Sequence, residues 1–429
     1  MDEVPFSTDS LPGPNDIVRQ VFPNGVTLLT RPNFSSPAVA IRGYLPPGAI
    51  AEPINKYGLA NFTASMLMMG TRQLEFRELN DKIESMGASL AFSSGGLSTS
   101  FAGQCLKEDL PALLSLLKQA LAEPAFPNRH FVRLKTQILT TIAIQAQDTG
   151  EMADQAFDRN FYDTHPYAHP EIGYPLTINA LTLEYVVEFH RRYYGPKHLV
   201  LAISGGINPQ EAIQTVEQTL GTYENPDQEE QPPLPDFTPP QHTRREHVPL
   251  EEKSQTDLVI GVMAPKTMGE DFHACTLGNS ILGQFGMMGR IGESVREQAG
   301  LAYTIQSSLG SGLGPTSWQV SAGVNPDNLD RAIDLILKEL QRFRSEEVTN
   351  EELEDVRAQA IGHLPLTLES NAGICSTLLS FERYDLNFNY LRTLPAVLEA
   401  ITAEDILKCS QRYWNLDHLV ITSAGRPLS

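Results

Sequence analysis

The sequence predicts an α+β protein of two homologous domains, each with helices packed on a mostly antiparallel sheet. The first observation is an internal repeat: residues 192–205 resemble residues 412–425, with Arg, Tyr, His, Leu, Val and Gly at a constant offset of 220 positions (412 minus 192). The second is that strand-like and helix-like runs are mixed without strict βαβ alternation. The third is the length of 429 residues, which exceeds what one hydrophobic core usually holds.

The domain boundaries follow from the repeat and from a proline-rich stretch between its copies. Residues 223–248 contain six prolines among acids and glutamines, which favours a semi-rigid extended linker. We therefore expect an N-terminal extension at residues 1–15, a first domain at 16–222, a linker at 223–248 and a second domain at 249–429.

The elements of the first domain are predicted from hydrophobic periodicity. Strands are expected at residues 26–30 and 38–45, followed by a hairpin over residues 89–104 that turns at the Gly-Gly pair 95–96. Amphipathic helices are expected at residues 58–69, 76–86, 110–122 and 128–147. A further helix ending near Tyr193 leads into a strand at residues 199–204, and the repeat predicts a related order in the second domain.

The charge balance excludes some classes of partner. The formal net charge is −20, from 52 acidic and 32 basic residues, which disfavours binding to nucleic acid or to an anionic membrane surface. No apolar run reaches the roughly 18 residues of a membrane span, and the N-terminal residues lack the pattern of a signal peptide. The four cysteines form no CxxC pattern, so we expect free thiols in a cytoplasmic protein.

A helix near the start of the chain carries the first family resemblance. Residues 58–71 read Gly-Leu-Ala-Asn-Phe-Thr-Ala-Ser-Met-Leu-Met-Met-Gly-Thr. They resemble the zinc helix of the insulinase-type (pitrilysin) zinc peptidase family, which carries His-x-x-Glu-His in the same frame. Asn61 and Ser65 stand at the two His positions and Ala64 at the Glu position. The resemblance puts the family's third ligand, a glutamate, at Thr141.

These substitutions predict a degenerate zinc site, which has lost zinc binding, rather than a site that binds zinc through different ligands. Positions 61 and 65 share a helix face, where two imidazoles would bind zinc while the Glu acts as general base. Asn61 and Ser65 offer poor zinc ligands, and Ala64 has no group that transfers a proton. We expect this chain to bind no metal or other cofactor and to be inactive alone, with zinc held by a partner subunit. Without the family frame, the same residues would be ordinary helix positions.

The second domain carries another part of the resemblance. Residues 296–303 read Arg-Glu-Gln-Ala-Gly-Leu-Ala-Tyr, similar to the family's C-terminal-domain signature with its Arg and Tyr seven positions apart. The resemblance implies that Arg296 and Tyr303 donate hydrogen bonds to substrate, or to the developing oxyanion, at a zinc site in another domain or subunit. A permanently charged guanidinium and a phenol suit that task. The alternative is a purely structural Arg–Tyr pair.

The resemblance implies a non-catalytic subunit of a heterodimeric zinc metallopeptidase, as in bacterial processing-type pairs and the mitochondrial processing peptidase. Its partner would be a homologous subunit bearing His-x-x-Glu-His, and its substrate a peptide or an unfolded polypeptide. The interface of such a pair is expected to exceed about 1,200 Å². Whether the chain takes part in catalysis is left open, since a stand-alone scaffold or peptide-binding protein is the alternative.

Three further patterns have competing interpretations. His165 and His169 suggest a relocated metal site, although the prolines that follow them break any helix that would align them. Residues 283–289 lack the Lys-Ser/Thr of a phosphate loop, which leaves a flexible substrate-contacting loop or a tight connection. The stripe of Glu151, Asp154 and Asp158 predicts a solvated acidic face or a contact with a basic peptide.

Overall fold

The computed structural model describes residues 11–286 and 289–428, so most of the expected N-terminal extension, residues 1–10, lies outside the described residues. The chain forms two compact units, and neither is contiguous in sequence. Unit 1 comprises the residues up to Ile142, Pro170–Pro233 and Leu364–Thr393. Unit 2 comprises Ala143–His169, Leu234–His363 and the residues from Leu394 onward.

Each unit is built on one sheet. The strands are β1 Val18–Val21, β2 Thr27–Pro32, β3 Ala38–Leu45, β4 Ser89–Ser94, β5 Thr99–Leu106, β6 Val200–Gly205, β7 Arg244–Pro249, β8 Thr256–Met263, β9 Ala302–Leu309, β10 Ser317–Val324 and β11 Val420–Gly425. The strand order is β1-β2-β6-β3-β5-β4 in unit 1 and β7-β11-β8-β10-β9 in unit 2. Among the strands of the described residues, only the β2–β6 and β7–β11 pairs are parallel, which confirms the predicted mostly antiparallel α+β fold.

Helices cover the sheets. They are α1 Leu59–Met66, α2 Phe76–Ser85, α3 Leu110–Ala122, α4 Asn128–Gln145, α5 Thr149–Tyr162, α6 Pro175–Ala180, α7 Leu183–Tyr193, α8 Pro209–Gln218, α9 Phe272–Gly283, α10 Gly289–Ile291, α11 Leu329–Ser345, α12 Asn350–Thr367, α13 Asn371–Arg383, α14 Tyr390–Ala400 and α15 Ala403–Tyr413. A π-helical turn, Gly292–Gln298, follows α10 directly. None of the described helices combines the length and the apolar composition needed to cross a membrane.

The core of unit 1 lies on one face of its sheet. Val39 and Ile41 of β3 point into a cluster with Phe62 of α1 and Leu117 of α3, all of them buried. On the opposite face Ile374 and other apolar residues of α13 pack over β3 and β6. This arrangement follows from the period of two in a strand, which sends alternate side chains to opposite faces.

Unit 2 has a related arrangement, with two buried tryptophans in its core. The Trp318 ring lies 5.6 Å from that of Trp414 and 6.3 Å from that of Phe343, between centroids. The buried indole N–H of Trp318 donates to Asn279 Oδ1 at 2.8 Å. On the other face of the sheet, α5 buries Phe157 among apolar residues of β8 and β11.

The predicted elements of the first domain are present with small shifts at their ends. The hairpin turns where expected, because the N–H of Gly95 donates to Ser98 O at 2.9 Å. The strand predicted at residues 38–45 and the helix predicted at 110–122 have the expected bounds. The structure differs in the last residues of the expected linker: β7 begins at Arg244 because this segment pairs in parallel with β11.

Candidate functional site

The start of α1 is fixed by a glycine and by a carboxylate from the preceding loop. Gly58 has a positive φ of 95°, and a Cβ there would lie 2.7 Å from the carbonyl oxygen of Ile172. The carboxylate of Glu52 accepts hydrogen bonds from the N–H groups of Gly58, at 3.1 Å, and Ala60, at 2.7 Å. Carboxyl oxygens at this end of a helix satisfy N–H donors that have no partner within the helix. Together these contacts determine where positions 61–65 lie.

Glu52 is a partly buried titratable residue next to the start of α1 that the sequence did not single out. Burial raises the pKa of its carboxyl to about 8, although the backbone N–H groups at the helix start oppose the shift and Glu171 adds to it. No local pattern marks Glu52 as a cap, because it lies in a loop seven positions before the first residue of α1. Its hydrogen bonds to Gly58 and Ala60 hold the start of α1 in place.

The three α1 positions that correspond to the zinc motif lack the chemistry of a zinc site. Asn61 and Ser65 are half-buried, one turn apart on the same face of the helix. Ala64 is 2% exposed and contributes only a methyl group. Next to these positions, the Phe62 ring lies 5.0 Å from that of Phe131 on α4, so α1 and α4 are packed together.

Thr141 on α4 completes the set of expected ligand positions. It follows the buried stripe of Phe131, Leu134 and Ile138 at helical spacing, and it is itself exposed. Its hydroxyl donates to Gln137 O of the same helix at 3.2 Å. The four positions thus supply an amide, a methyl and two hydroxyls, which do not fit the zinc implied by the family resemblance. Within the described ranges, no group of three or more His, Cys, Asp or Glu is arranged to hold a metal ion.

Arg296 and Tyr303 lie in unit 2, on two consecutive elements. Arg296 is in the π-helical turn and is 35% exposed, with its Nε 3.6 Å from Glu297 Oε1. The turn closes where the N–H of Gly300 donates to Arg296 O at 3.0 Å, and Gly300 adopts a positive φ of 64°. Single π-helical turns of this kind are frequent at functional sites.

Tyr303 is held outward by an irregularity in the sheet. In the pairing of β9 with β10, Ala302 faces Val324 and Thr304 faces Gly323, so Tyr303 has no partner in the register. Such a bulge re-aims the side chain of the extra residue. The phenol is 59% exposed at the edge strand of the unit 2 sheet. Arg296 and Tyr303 are therefore both accessible within unit 2, whereas the four zinc-site positions belong to unit 1.

A partly buried ion pair holds α10, which leads directly into the π-helical turn. Arg290 is 7% exposed and donates two hydrogen bonds of 2.7 Å to the carboxylate of Glu352 on α12. Burial works to raise the pKa of Glu352, but hydrogen bonds from Arg290 and Thr349 outweigh it and lower the pKa to about 2. The pair is therefore ionised at neutral pH and fixes the segment that carries Arg296.

The glycine-rich residues 283–289 are explained in part by packing. A Cβ on Gly283 would lie 2.5 Å from the N–H nitrogen of Ser307, and one on Gly289 would lie 2.5 Å from Ile281 O. These close approaches favour the interpretation as a tight connection between α9 and α10. Met287 and Met288, in the middle of the predicted loop, lie outside the described residues.

The two remaining patterns have structural explanations. His165 is buried against the Tyr167 and Phe237 rings, and its Nδ1 accepts from the N–H of Tyr167 at 3.2 Å. This histidine caps a short 3-10 helix, Pro166–Ala168. In the acidic stripe, Glu151 and Asp154 are exposed, as a solvated face requires, whereas Asp158 is half-buried. Burial raises the pKa of Asp158 to about 7, an effect that Asp154 reinforces.

Comparison with known families accounts for most of the chain. The sequence-family model described as insulinase (peptidase family M16) matches residues 28–173. The model described as peptidase M16 inactive domain matches residues 180–360.

Curated relatives match along 80% or more of their length. The uncharacterized zinc protease YmxG of Bacillus subtilis is 23% identical over 354 residues, which cover 82% of this chain and 85% of that protein. An uncharacterized zinc protease of Streptomyces coelicolor is 22% identical over 371 residues, covering 85% and 80%. One from Rickettsia bellii is 20% identical over 400 residues, covering 91% and 93%.

Solved structures share the fold. A peptidase M16 inactive domain from Pseudomonas fluorescens superposes with a TM-score of 0.89 at 23% identity, covering 96% of this chain and 98% of that one. A protease from Helicobacter pylori also gives a TM-score of 0.89, at 18% identity, with coverage of 97% and 100%.

Proposed function

Because the chain belongs to the insulinase (M16) peptidase family, we propose that it is the non-catalytic subunit of a heterodimeric zinc metallopeptidase. The partner is a homologous subunit that carries His-x-x-Glu-His and holds the zinc ion. The substrate is a peptide or an unfolded polypeptide. This chain contributes Arg296 and Tyr303 to the substrate at the partner's zinc site.

One contrast carries this proposal. Every expected donor of the metal site has been replaced, and Ala64 at the general-base position is buried. Tyr303, by contrast, is directed to solvent by a bulge, and the turn that bears Arg296 follows a helix held by a partly buried ion pair. An exposed Arg–Tyr motif in a chain without its own metal chemistry is the arrangement that a site completed by another subunit requires.

The chemistry assigned to the pair is hydrogen-bond donation. The guanidinium of Arg296 is permanently charged and the phenol of Tyr303 is a neutral donor, so both suit a substrate carbonyl that gains negative charge. Donors that strengthen as charge develops stabilise the transition state more than the ground state. These residues would therefore act on kcat more than on KM.

Reconstitution with an intact homologue from the same organism tests the proposal. Peptide hydrolysis and zinc content are measured for each chain alone and for the mixture. The expected result is a zinc-free, inactive chain that makes the partner's hydrolysis much faster. In the mixture, Arg296→Ala and Tyr303→Phe are each expected to lower kcat by about 10²-fold, the scale of losing one oxyanion donor.

Two matched controls separate this role from general damage. Arg331→Ala removes an exposed arginine of α11, and Gln306→Ala removes an exposed side chain of β9, the strand that carries Tyr303. Both variants should retain full complementation. A mixture no faster than the partner alone would overturn the proposal and leave a scaffold or peptide-binding role. An equal loss of kcat in test and control variants would show that Arg296 and Tyr303 have no specific role at the site.

A further inference from the structure

Unit 1 contains a groove beside α13 that the proposed function does not use. The helix packs over β3 and β6 through Ile374, Cys375 and Leu378, and the thiol of Cys375 donates to Ala40 O at 3.4 Å. Helix α13 is therefore seated to one side of the sheet, next to the outer strands β5 and β4. The space between the helix and these strands, the α13 groove, has a volume of about 360 Å³.

The alternation of side chains explains why the groove exists. Val39 and Ile41 of β3, like Phe101 of β5, point into the main core on the other face of the sheet. The residues between them point to the α13 side of the sheet and form the floor of the groove. On the outer strands these residues are small, such as Ser100 and Ala102. Small side chains leave a gap that α13 does not fill. Its size is at the lower end for sites that bind small ligands, about 300–1,000 Å³.

The charge of the groove is opposite to that of the chain. Its lining contains Arg42 and Arg383 and no Asp or Glu, although the chain has a net charge of −20. Among residues 11–286 and 289–428, no carboxylate forms an ion pair with either guanidinium. Glu382, next in sequence to Arg383, is instead bound by two 2.7 Å hydrogen bonds from Arg19.

Both guanidinium groups are positioned for a ligand. Arg383 lies over the Tyr44 ring, 4.3 Å from its centroid, which orients the planar group without neutralising it. Arg42 is half-buried on β3, and no described residue accepts a hydrogen bond from it. The donors of this half-buried guanidinium are therefore left for a ligand, and a bound anion would satisfy them with charged hydrogen bonds.

Hydroxyl groups complete the lining. Ser376 and Ser380, one turn apart on α13, each donate to a carbonyl of their own helix at 3.0 Å. Because a hydroxyl rotates about its C–O bond, each can donate to a ligand instead. Guanidinium and hydroxyl donors around a site without acids match the acceptor oxygens of carboxylates and phosphates.

We propose that the α13 groove binds an oxyanion group, a carboxylate or a phosphate, between the guanidinium groups of Arg42 and Arg383. The volume admits the group with a small body attached, such as one or two amino-acid residues. The site lies within unit 1 and goes beyond the role of Arg296 and Tyr303, so it is tested on this chain without a partner.

Isothermal titration calorimetry on the full chain tests the proposal with three probes. They are inorganic phosphate, an acetylated dipeptide with a free terminal carboxylate, and the same dipeptide as its amide. Binding of phosphate or of the free carboxylate, with no binding of the amide, is the expected result. The first probe identifies a phosphate ligand and the second a peptide carboxylate.

Variants decide whether the heat arises in the groove. Arg42→Gln and Arg383→Gln are each expected to weaken binding by about tenfold or more, the scale of losing a charged hydrogen bond. Ser380→Asp places a carboxylate in the lining and should abolish binding. This variant keeps both arginines, so the test remains valid even if the arginine variants do not fold. Arg331→Gln is the matched control and should bind as the parent chain does.

Two results would overturn the proposal. One is the absence of binding by phosphate and by the free carboxylate at millimolar concentration. The other is binding that survives Ser380→Asp in a variant whose circular dichroism and Tm match those of the parent chain. Neither result depends on a partner subunit, so failure here leaves the proposed peptidase role untouched.

Discussion

In each unit, one helix covers the face of the sheet opposite the main core. The two helices carry different residues at equivalent positions. Helix α5 lies on the unit 2 sheet, and α13 lies on the unit 1 sheet. Both begin with the same cap: Asp148 Oδ1 accepts from the N–H of Glu151, and Ser370 Oγ from that of Gly373. The caps align the helices at an offset of 222 positions (370 minus 148).

At this offset, large or acidic residues of α5 correspond to smaller or basic residues of α13. Phe157 and Phe161 of α5 correspond to Leu379 and Arg383 of α13. Asp154 and Asp158 correspond to Ser376 and Ser380. All four of these α13 residues line the α13 groove, whereas Phe157 is fully buried in unit 2.

Side-chain volume decides which face is closed. In unit 2, Phe157 occupies the space above Gly261, where a Cβ would lie 2.6 Å from the phenyl Cζ. In unit 1, the half-buried Leu379 leaves the groove open beside it. The comparison teaches that one scaffold provides either a filled contact or a basic groove, through a few positions on a single helix.

The largest expected effect comes from truncating the two equivalent apolar residues. Phe157→Ala removes a fully buried ring and should lower the free energy of unfolding of its unit by about 3–4 kcal/mol. Leu379→Ala borders an existing groove, so its loss should be about 1 kcal/mol. Differential scanning calorimetry of both variants measures the difference. Equal losses would show that the two helices pack their sheets equally well.

A smaller, pH-dependent effect is expected from the acidic stripe of α5. Burial, with Asp154, raises the pKa of Asp158 to about 7, well above its value of about 3.9 in an unfolded chain. The folded state thus keeps a proton that the unfolded state loses, and stability falls as the pH rises from about 4 to about 7. Asp158→Asn should therefore raise the free energy of unfolding by about 1–2 kcal/mol at pH 8 and change it little at pH 4.

The equivalent residue of α13 provides the control for this pH effect. Ser380→Asn alters the same helix position in unit 1, where no carboxylate titrates in the groove lining. Its effect on Tm should not vary between pH 4 and pH 8. A gain from Asp158→Asn that is the same at both pH values would contradict a buried, protonated Asp158.

The smallest effect is expected from the ion pair at the end of α13. Arg19 and Glu382 form two hydrogen bonds, but the arginine is 43% exposed, and exposed pairs contribute little. Arg19→Ala should cost at most about 1 kcal/mol, and less in 1 M salt because screening weakens the pair. A loss that persists at high salt would indicate packing by the arginine stem rather than charge.

Much of the fold and part of the candidate site could be predicted from the sequence. The alternation of side chains predicted β3 and an apolar stripe predicted α3, because both signals depend only on the local period of the element. The family frame located Asn61, Ala64 and Ser65 on one helix. The bulge that exposes Tyr303 could not be predicted, since it depends on the register of β9 against β10.

The sequence by itself determined the repeat, the class of fold and the lost metal chemistry, because each depends on residue type and spacing. Only the tertiary structure decided that residues 143–169 join unit 2 and residues 364–393 join unit 1. An amphipathic pattern shows that a helix buries one face but not which sheet receives it. For the same reason, no local signal pairs Arg42 with Arg383: they share a groove only because α13 packs on the sheet of unit 1.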